Sequence, residues 1–570
     1  MSSRRKRFST HRPWHFVWLL TVLPPALAQE PPSAEDAHLP GSEYAFYGRD
    51  HGGWRNLRRF FDHELYGRRG QRDLLRVLDG RAEDAVKSCK QLLATDPADL
   101  ESLFCLCVAR CVLGDPTGGL EAMNEATARG LPFERFLAGP RDLLEPLRET
   151  EAFRRYAAEQ DIRLIHGPTL GCLTDTSARF WVRTVAETPV QVVASRSKDL
   201  SSPVRSDVVE TRSSVDYTAV VAIEGLKPST AYHYDVLVDG VSTLSPELPR
   251  FHTHARTGEG AQFRVGFGGG ALYTPRNERM WDTIRSRDPA AFLFLGDNVY
   301  IDLPQAFGTL HSYTYHRRQS RPEFRRLASS VPLYAIWDDH DAAVDDCWLG
   351  PFRDKPSWKM SMLDGFRQNW NNPGYGTDEW PGCWSKFSIA DVDFFLLDGR
   401  FYRTNPFDGS NGTMLGPAQK AWLLRELEQS AAKFKVLVSP VPWSFDTKGT
   451  SIDTWNGFQA ERNEIFAFLE KKQIDGVVLV SADRHRSDAR RIDRKKSYPL
   501  YEFESSRLTN KHVHKLVDGA LFGYNEKQSF GLLTFDTAKP DPTVTFTIVN
   551  IDGESVKSLA ITLSEISGKT

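Results

Sequence analysis

The sequence predicts an α/β (α+β) chain in which a large mixed domain follows a small all-β sandwich and an α-helical hairpin region. Three observations lead there. Apolar residues recur every three or four positions over about residues 83–128, they alternate with polar ones from about 164 to 256, and short continuous apolar runs take over from Phe263. At 570 residues the chain is too long for one ordinary core, so two to four domains are expected. A formal net charge of -2 gives no global field that would favour nucleic acid or an anionic membrane, so any recognition of phosphate has to be local.

The first 28 residues read as a cleaved signal peptide. A basic start (Arg4, Arg5, Lys6, Arg7) precedes the apolar run WHFVWLLTVL, and Ala26-Leu27-Ala28 supplies small residues at the spacing a signal peptidase reads. The run is too short to span a bilayer, which takes about 20 residues. Arg4-Arg5 after Ser3 fits a twin-arginine export signal, and an ordinary basic secretory signal fits as well. Either implies an exported protein, periplasmic or extracellular.

Residues 29–160 read as a helical region that resembles tetratricopeptide-type hairpins. In AEDAVKSCKQLLATDPADLESLFCLCVARCVLGD, Asp96 is the expected helix cap with Pro97 at the first position, and Gly114 marks a helix end. GGLEAMNEATARG supplies another amphipathic helix. The pattern implies either a surface for a protein partner or a cap packed on its neighbour. The seven cysteines form no CxxC pair; Cys105, Cys107 and Cys111 share one apolar stretch and read as small buried hydrophobes, while export would allow one disulfide involving Cys89.

SARFWVRT, PVQVVASR, DYTAVVAIEGL and AYHYDVLVDG alternate between Gly, Pro and Ser turns, which predicts an antiparallel sandwich over 164–256. LKPSTAYHYDVLVDG resembles the corner of a fibronectin type III domain, where the tyrosine is structural. From 262 to 550 the runs FRVGFG, AAFLFLGD, PLYAIWDD, DFFLLDGR, KVLVSP and DGVVLVSAD suit strands buried on both faces, with helices such as GPAQKAWLLRELEQSAAKF covering them. Residues 551–570 read as a tail or a final strand.

Carboxylates close several of these strands: Asp297, Asp338-Asp339, Asp398 and Asp483. Ligands of open α/β sheets bind beyond the carboxyl ends of strands, and clustered carboxylates repel unless something positive lies among them. His340 and His485 stand beside two of them, and Asp-x-His on an extended segment places both side chains on one face, within reach of metal at about 2.0–2.2 Å.

GDNVY, WDDHD, LDGRFYR, LGPAQKAWL, W-x-G-x3-E-R (Trp455, Gly457, Glu461, Arg462) and SADRH together resemble, in that order, the signature blocks of the PhoD-like alkaline phosphatases of the calcineurin-like metallophosphoesterase superfamily. The resemblance implies a metallophosphoesterase-type β-sandwich core flanked by helices and two or more metal ions at the strand ends. It places Asp297, Tyr300, Asp339, Asp483 and His485 as metal ligands, with Asp338 and Asp345 as further candidates. His340 is then the catalytic histidine and Arg400 a cationic phosphate contact. The implied chemistry is hydrolysis of phosphomonoesters or phosphodiesters by a metal-activated hydroxide, without a phosphoenzyme.

Two positions depart from that family's pattern. Gly270 in FGGGA stands where the family has an iron-binding cysteine, and Asp345 stands where it has an asparagine. Calcium, manganese or zinc on oxygen and imidazole suits the remaining donors better than thiolate-bound iron, although iron stays among the implied metals. The alternative is a catalytically impaired relative acting as a binding or docking protein. GFGGGA lacks G-x-G-x-x-G spacing, which argues against a dinucleotide; Ser439 has no adjoining base, which argues against a serine nucleophile. Trp337, Trp348, Trp358, Trp370, Trp380 and Trp384 either stack on a leaving group or hold a long loop together.

Overall fold

The computed structural model describes residues 45–46, 69–244, 246–406, 412–449 and 451–568; the expected signal peptide and its twin-arginine pair lie outside the described residues. Helices α1 (Arg69–Leu78), α2 (Ala82–Thr95), α3 (Leu100–Val112) and α4 (Pro116–Ala128) form successive hairpins. The cap of α3 differs from the expected one. Asp99, not Asp96, accepts from the Ser102 N–H at 3.2 Å, because Pro97 lies inside the turn between α2 and α3 rather than at the start of a helix. Asp115 caps α4 in the same way, and Gly114 takes φ +76 after α3, as expected of a helix end. Cys105, Cys107 and Cys111 are buried apolar residues of α3, and all seven cysteines are free, so Cys89 forms no disulfide.

The helices do not stand apart from the rest. Leu103, Phe104 and Phe136 share one apolar cluster with Leu310, Tyr313 and Tyr315 of the following domain. Glu101, 2% exposed, receives the Arg135 guanidinium at 3.0 and 3.2 Å and the Tyr313 hydroxyl. This is the geometry of a packed cap.

Strands β1 (Leu164–Gly171), β2 (Ser177–Thr184), β3 (Pro189–Ser195), β4 (Thr218–Glu224), β5 (Ala231–Val238) and β6 (Arg250–His252) build the sandwich. One sheet runs β1-β2-β4, the other contains β6-β5-β3, and Phe180, Val192, Ile223 and Tyr234 fill the space between them. The Tyr232 hydroxyl accepts from the Lys227 N–H at 2.9 Å and pins the corner that precedes β5.

The apolar runs predicted from Phe263 onward are all strands. β7 (Gln262–Gly268), β8 (Ala291–Leu295) and β9 (Leu333–Ile336) are mutually parallel and share a six-stranded sheet with the antiparallel β17 (Ser529–Asp536), β18 (Thr543–Asn550) and β19 (Ser555–Thr562). β19 is thus the last strand of the sheet rather than a tail. The seven-stranded sheet holds β10 (Ser385–Ile389), β11 (Val392–Leu396), β12 (Phe434–Val438), β13 (Val477–Ser481), β14 (Ser487–Ile492), β15 (Leu500–Ser505) and β16 (Ala520–Tyr524), in the order β10-β11-β12-β13-β15-β14-β16. Phe267, Leu293, Val436, Leu479, Phe503 and Phe546 belong to the core they enclose. Two parallel stretches, β7-β8-β9 and β11-β12-β13, therefore end at strand-end loops that carry the acidic residues. Among the described residues no helix is long and apolar enough to cross a membrane.

Candidate metal centre at the strand ends

Leaving β8, Gly296 takes φ +100 where an added Cβ would lie 2.4 Å from Asp338 Cβ, so only glycine lets the β8 and β9 exits approach this closely. The next residue, Asp297, is left-handed at φ 53, as are Asp346 (55), Asp483 (73) and His485 (46). Non-glycine residues held in this region cost about 1–3 kcal/mol each and gather where surroundings impose a geometry. Asp341 fixes the turn from below: its carboxylate accepts from the backbone N–H groups of Asn298, Val299 and Asp338 at 3.1–3.2 Å.

Asp297, Asp339 and His340 each offer a ligand atom, all within 4.8 Å of one another. Asp297 is 3% exposed; its Oδ2 accepts from the Tyr300 hydroxyl at 2.7 Å, and its Oδ1 is buried without a hydrogen bond. Burial and the neighbouring carboxylates Asp339 and Asp338 push its pKa well above the carboxylate range, against the pull of His340. A buried carboxylate with one orphaned oxygen, grouped with a second carboxylate and an imidazole, is a donor set that fits a divalent cation. Asn510 donates to the Tyr300 hydroxyl at 2.8 Å, and the His340 ring lies 4.3 Å from the Tyr300 ring with Nδ1 against Asp302.

The other expected residues take separate places. Asp483 accepts from Arg484 at 3.2 Å and faces Lys448 at 3.5 Å; burial alone would raise its pKa, but these cations outweigh it and hold the carboxyl well below the usual range. His485 has a buried Nδ1 without a hydrogen bond, and burial depresses its pKa well below the ordinary value. That nitrogen lies 3.3 Å from where a Gly270 Cβ would be. Asp345 is half exposed, its Oδ1 3.8 Å from His340 Nε2.

Arg400 differs from the expected phosphate contact. Its guanidinium is fully buried: Nε donates to Asp338 at 2.5 Å, and Nη1 and Nη2 donate to Asp453 at 2.7 and 3.1 Å. Asp338 is thereby engaged on the side of Arg400. Asp398 is also structural, accepting from Trp337 Nε1 at 2.8 Å and from the Arg400 and Phe401 N–H groups at 2.9 Å. Of the six tryptophans, Trp337, Trp348, Trp358, Trp370 and Trp384 are buried and Trp380 is partly buried, which fits side chains that hold the loop together.

Sequence reading missed Asp346, Asp453 and Lys448. Asp339, Asp346 and Asp453 form a second group of ligand atoms within 4.8 Å, and Lys448 Nζ reaches Asp346 at 2.7 Å and Asp453 at 3.0 Å. The available signal was Asp453, two residues before Trp455 in the block already singled out. That block anchors the loop: Trp455 stacks on Trp443 at 4.4 Å, Arg462 donates to the Trp443 carbonyl at 2.8 Å, and Glu461 accepts from the Met414 N–H at 2.6 Å.

Residues 269–530 match the family model of the PhoD-like phosphatases. The chain contains a PhoD-like phosphatase domain. Residues 161–255, the sandwich, match a domain of unknown function (DUF7800). Alkaline phosphatase D of Bacillus subtilis (strain 168) is 22% identical over 344 residues, which cover 52% of this chain and 58% of that relative. The chain thus spans under two thirds of the length of the curated relative it matches. A solved structure of PhoD superposes with a TM-score of 0.56 at 15% identity, covering 70% of this chain and 92% of that one. The purple acid phosphatase PPD1 of yellow lupin superposes with a TM-score of 0.51 at 12% identity, covering 70% and 75%. At such identities the superpositions establish a shared fold around the PhoD-like domain.

Proposed function

We propose that the protein is an exported, metal-dependent phosphoesterase that hydrolyses phosphomonoesters or phosphodiesters without a phosphoenzyme. The observation that carries this reading is Asp297, which has an orphaned, buried Oδ1 and offers a ligand atom within 4.8 Å of those of Asp339 and His340, at the strand ends of a PhoD-like domain. A divalent cation bound there would lower the pKa of its water and offset phosphoryl charge. Asp297 and Asp339 would hold it, and Tyr300 keeps Asp297 oriented by donating to the other carboxylate oxygen. Asp302 fixes His340 through Nδ1, which turns Nε2 toward the half-exposed Asp345, the side from which a leaving oxygen would take a proton. His485, whose buried Nδ1 has no hydrogen bond, would add an imidazole, and oxygen and imidazole donors without a thiol suit manganese, calcium or zinc.

Export rests on the amino-terminal pattern alone. The test is hydrolysis of a chromogenic phosphate ester by purified protein. Activity is expected to vanish with a chelator, to return with added divalent metal, and to fall at least about 10³-fold in Asp297→Asn. Activity that survives both treatments would overturn the reading. A docking protein derived from such an enzyme would instead bind no metal at Asp297.

A further inference from the structure

Two groups of potential ligands share Asp339, and their electrostatic states are opposite. Among the described residues no lysine or arginine pairs with Asp297, and its Oδ1 has no donor. The second group, Asp339, Asp346 and Asp453, already carries cations, and Asp483 lies beside it across the same lysine. Lys448 Nζ lies 2.7 Å from Asp346 Oδ1, 3.0 Å from Asp453 Oδ2 and 3.5 Å from Asp483 Oδ2, and Arg400 covers the remaining side of Asp453. The three carboxylates come from different strand-end loops, after β9, β12 and β13. An ammonium has three donors and no acceptor, so three carboxylates around it satisfy it as they would satisfy a metal ion. Lys448 is positioned for this by its loop, held in place by the Trp443–Trp455 stack and by Arg462.

We propose that Lys448 is a built-in cation: its ammonium occupies the group formed by Asp346, Asp453 and Asp483, so that a divalent ion is taken up on the Asp297 side and excluded from this one. The proposal rests on the metal reading above only for the first ion. Lys448 is a positioning residue, and it sets how many ions the strand ends accept.

The experiment counts Mn²⁺ per full-length chain, by elemental analysis after equilibrium dialysis, in wild type and in Lys448→Met and Lys448→Arg. Lys448→Met is expected to bind one more Mn²⁺ than wild type, and Lys448→Arg to match wild type. Equal counts in wild type and a folded Lys448→Met would overturn the proposal. An extra ion in Lys448→Met when wild type binds none would uphold it while removing the metal reading at Asp297. Should Lys448→Met not fold, anomalous scattering from Mn²⁺-soaked wild-type crystals decides. A peak among Asp346, Asp453 and Asp483 overturns the proposal, and no peak there beside an ordered Lys448 upholds it.

Discussion

Gly270 and Arg400 illustrate how a residue's neighbours decide what its chemistry is for. Gly270 takes φ +67, and a Cβ on it would lie 2.2 Å from the Ser506 carbonyl oxygen. The local backbone suits a glycine here, because Ser506 closes over the place where a thiol-bearing side chain would leave the chain. Gly270→Cys is expected to lower stability by about 1–3 kcal/mol, from left-handed strain and the clash with Ser506, and not to raise iron content; thermal unfolding and metal analysis check both. Arg400 is equally determined. Removing it in Arg400→Met leaves Asp338 buried without its cation, and burial already drives the Asp338 pKa up against Arg400's pull. Such an uncompensated charge is expected to cost about 3–5 kcal/mol in urea unfolding. A phosphate contact would instead raise KM and leave stability unchanged.

At the scale of elements, the long connection between β8 and β9 is organised by a histidine that must stay neutral. Helix α5 (Thr309–Gln319) carries His311, whose Nδ1 accepts from the Gly308 N–H at 3.1 Å while Nε2 donates to the Leu303 carbonyl at 2.9 Å. Both ring nitrogens are used, and burial pushes the pKa from 6.5 down to about 4. Between those values the unfolded chain binds the extra proton and the folded chain does not. The stability that His311 contributes is therefore complete above about pH 6.5 and is lost as pH falls toward 4. His311→Asn is expected to flatten the fall of stability over that window by up to about 1.4 kcal/mol per pH unit, read from urea midpoints at successive pH values. The strands on either side were legible in the sequence because burial on both faces writes itself as continuous runs such as AFLFL and VVLVS. Asp297 and Asp339 were legible for the same reason, since each lies within three residues of its strand's end. Lys448 and Asp346 were not: they meet across 102 residues through loops whose course is set by tertiary packing, of the Trp443–Trp455 stack above all, and no local period encodes that.

Three regions of the molecule meet at one carboxylate. Asp216, on the turn before β4, accepts from Arg141 of the helical region, from Arg183 Nε of the sandwich at 3.1 Å and from His316 Nε2 of the PhoD-like domain at 3.0 Å. Burial alone would raise its pKa, but Arg183, His316 and Arg141 outweigh it and hold the carboxyl far below the usual carboxylate range. A depressed carboxyl contributes stability above the unfolded value of 3.8 and loses it as pH falls below that. Arg183 is itself buried and also donates to Gln319 at 2.6 Å and to Asn369 at 3.1 Å, so the knot reaches into the apolar cluster shared by the helices and β8. Isolated domains linked by mobile joints would unfold in separate transitions, whereas regions sharing a core and one buried ion cluster should unfold together. Asp216→Asn keeps the shape of the side chain and leaves Arg183 facing an amide, so near-neutral pH is expected to show a loss of about 3–5 kcal/mol. If the junction holds the regions as one cooperative unit, calorimetry of wild type gives a single transition and Asp216→Asn splits it, the helices and sandwich melting first. A wild type that already melts in separate steps, or an Asp216→Asn variant with an unchanged single transition, would place the coupling elsewhere.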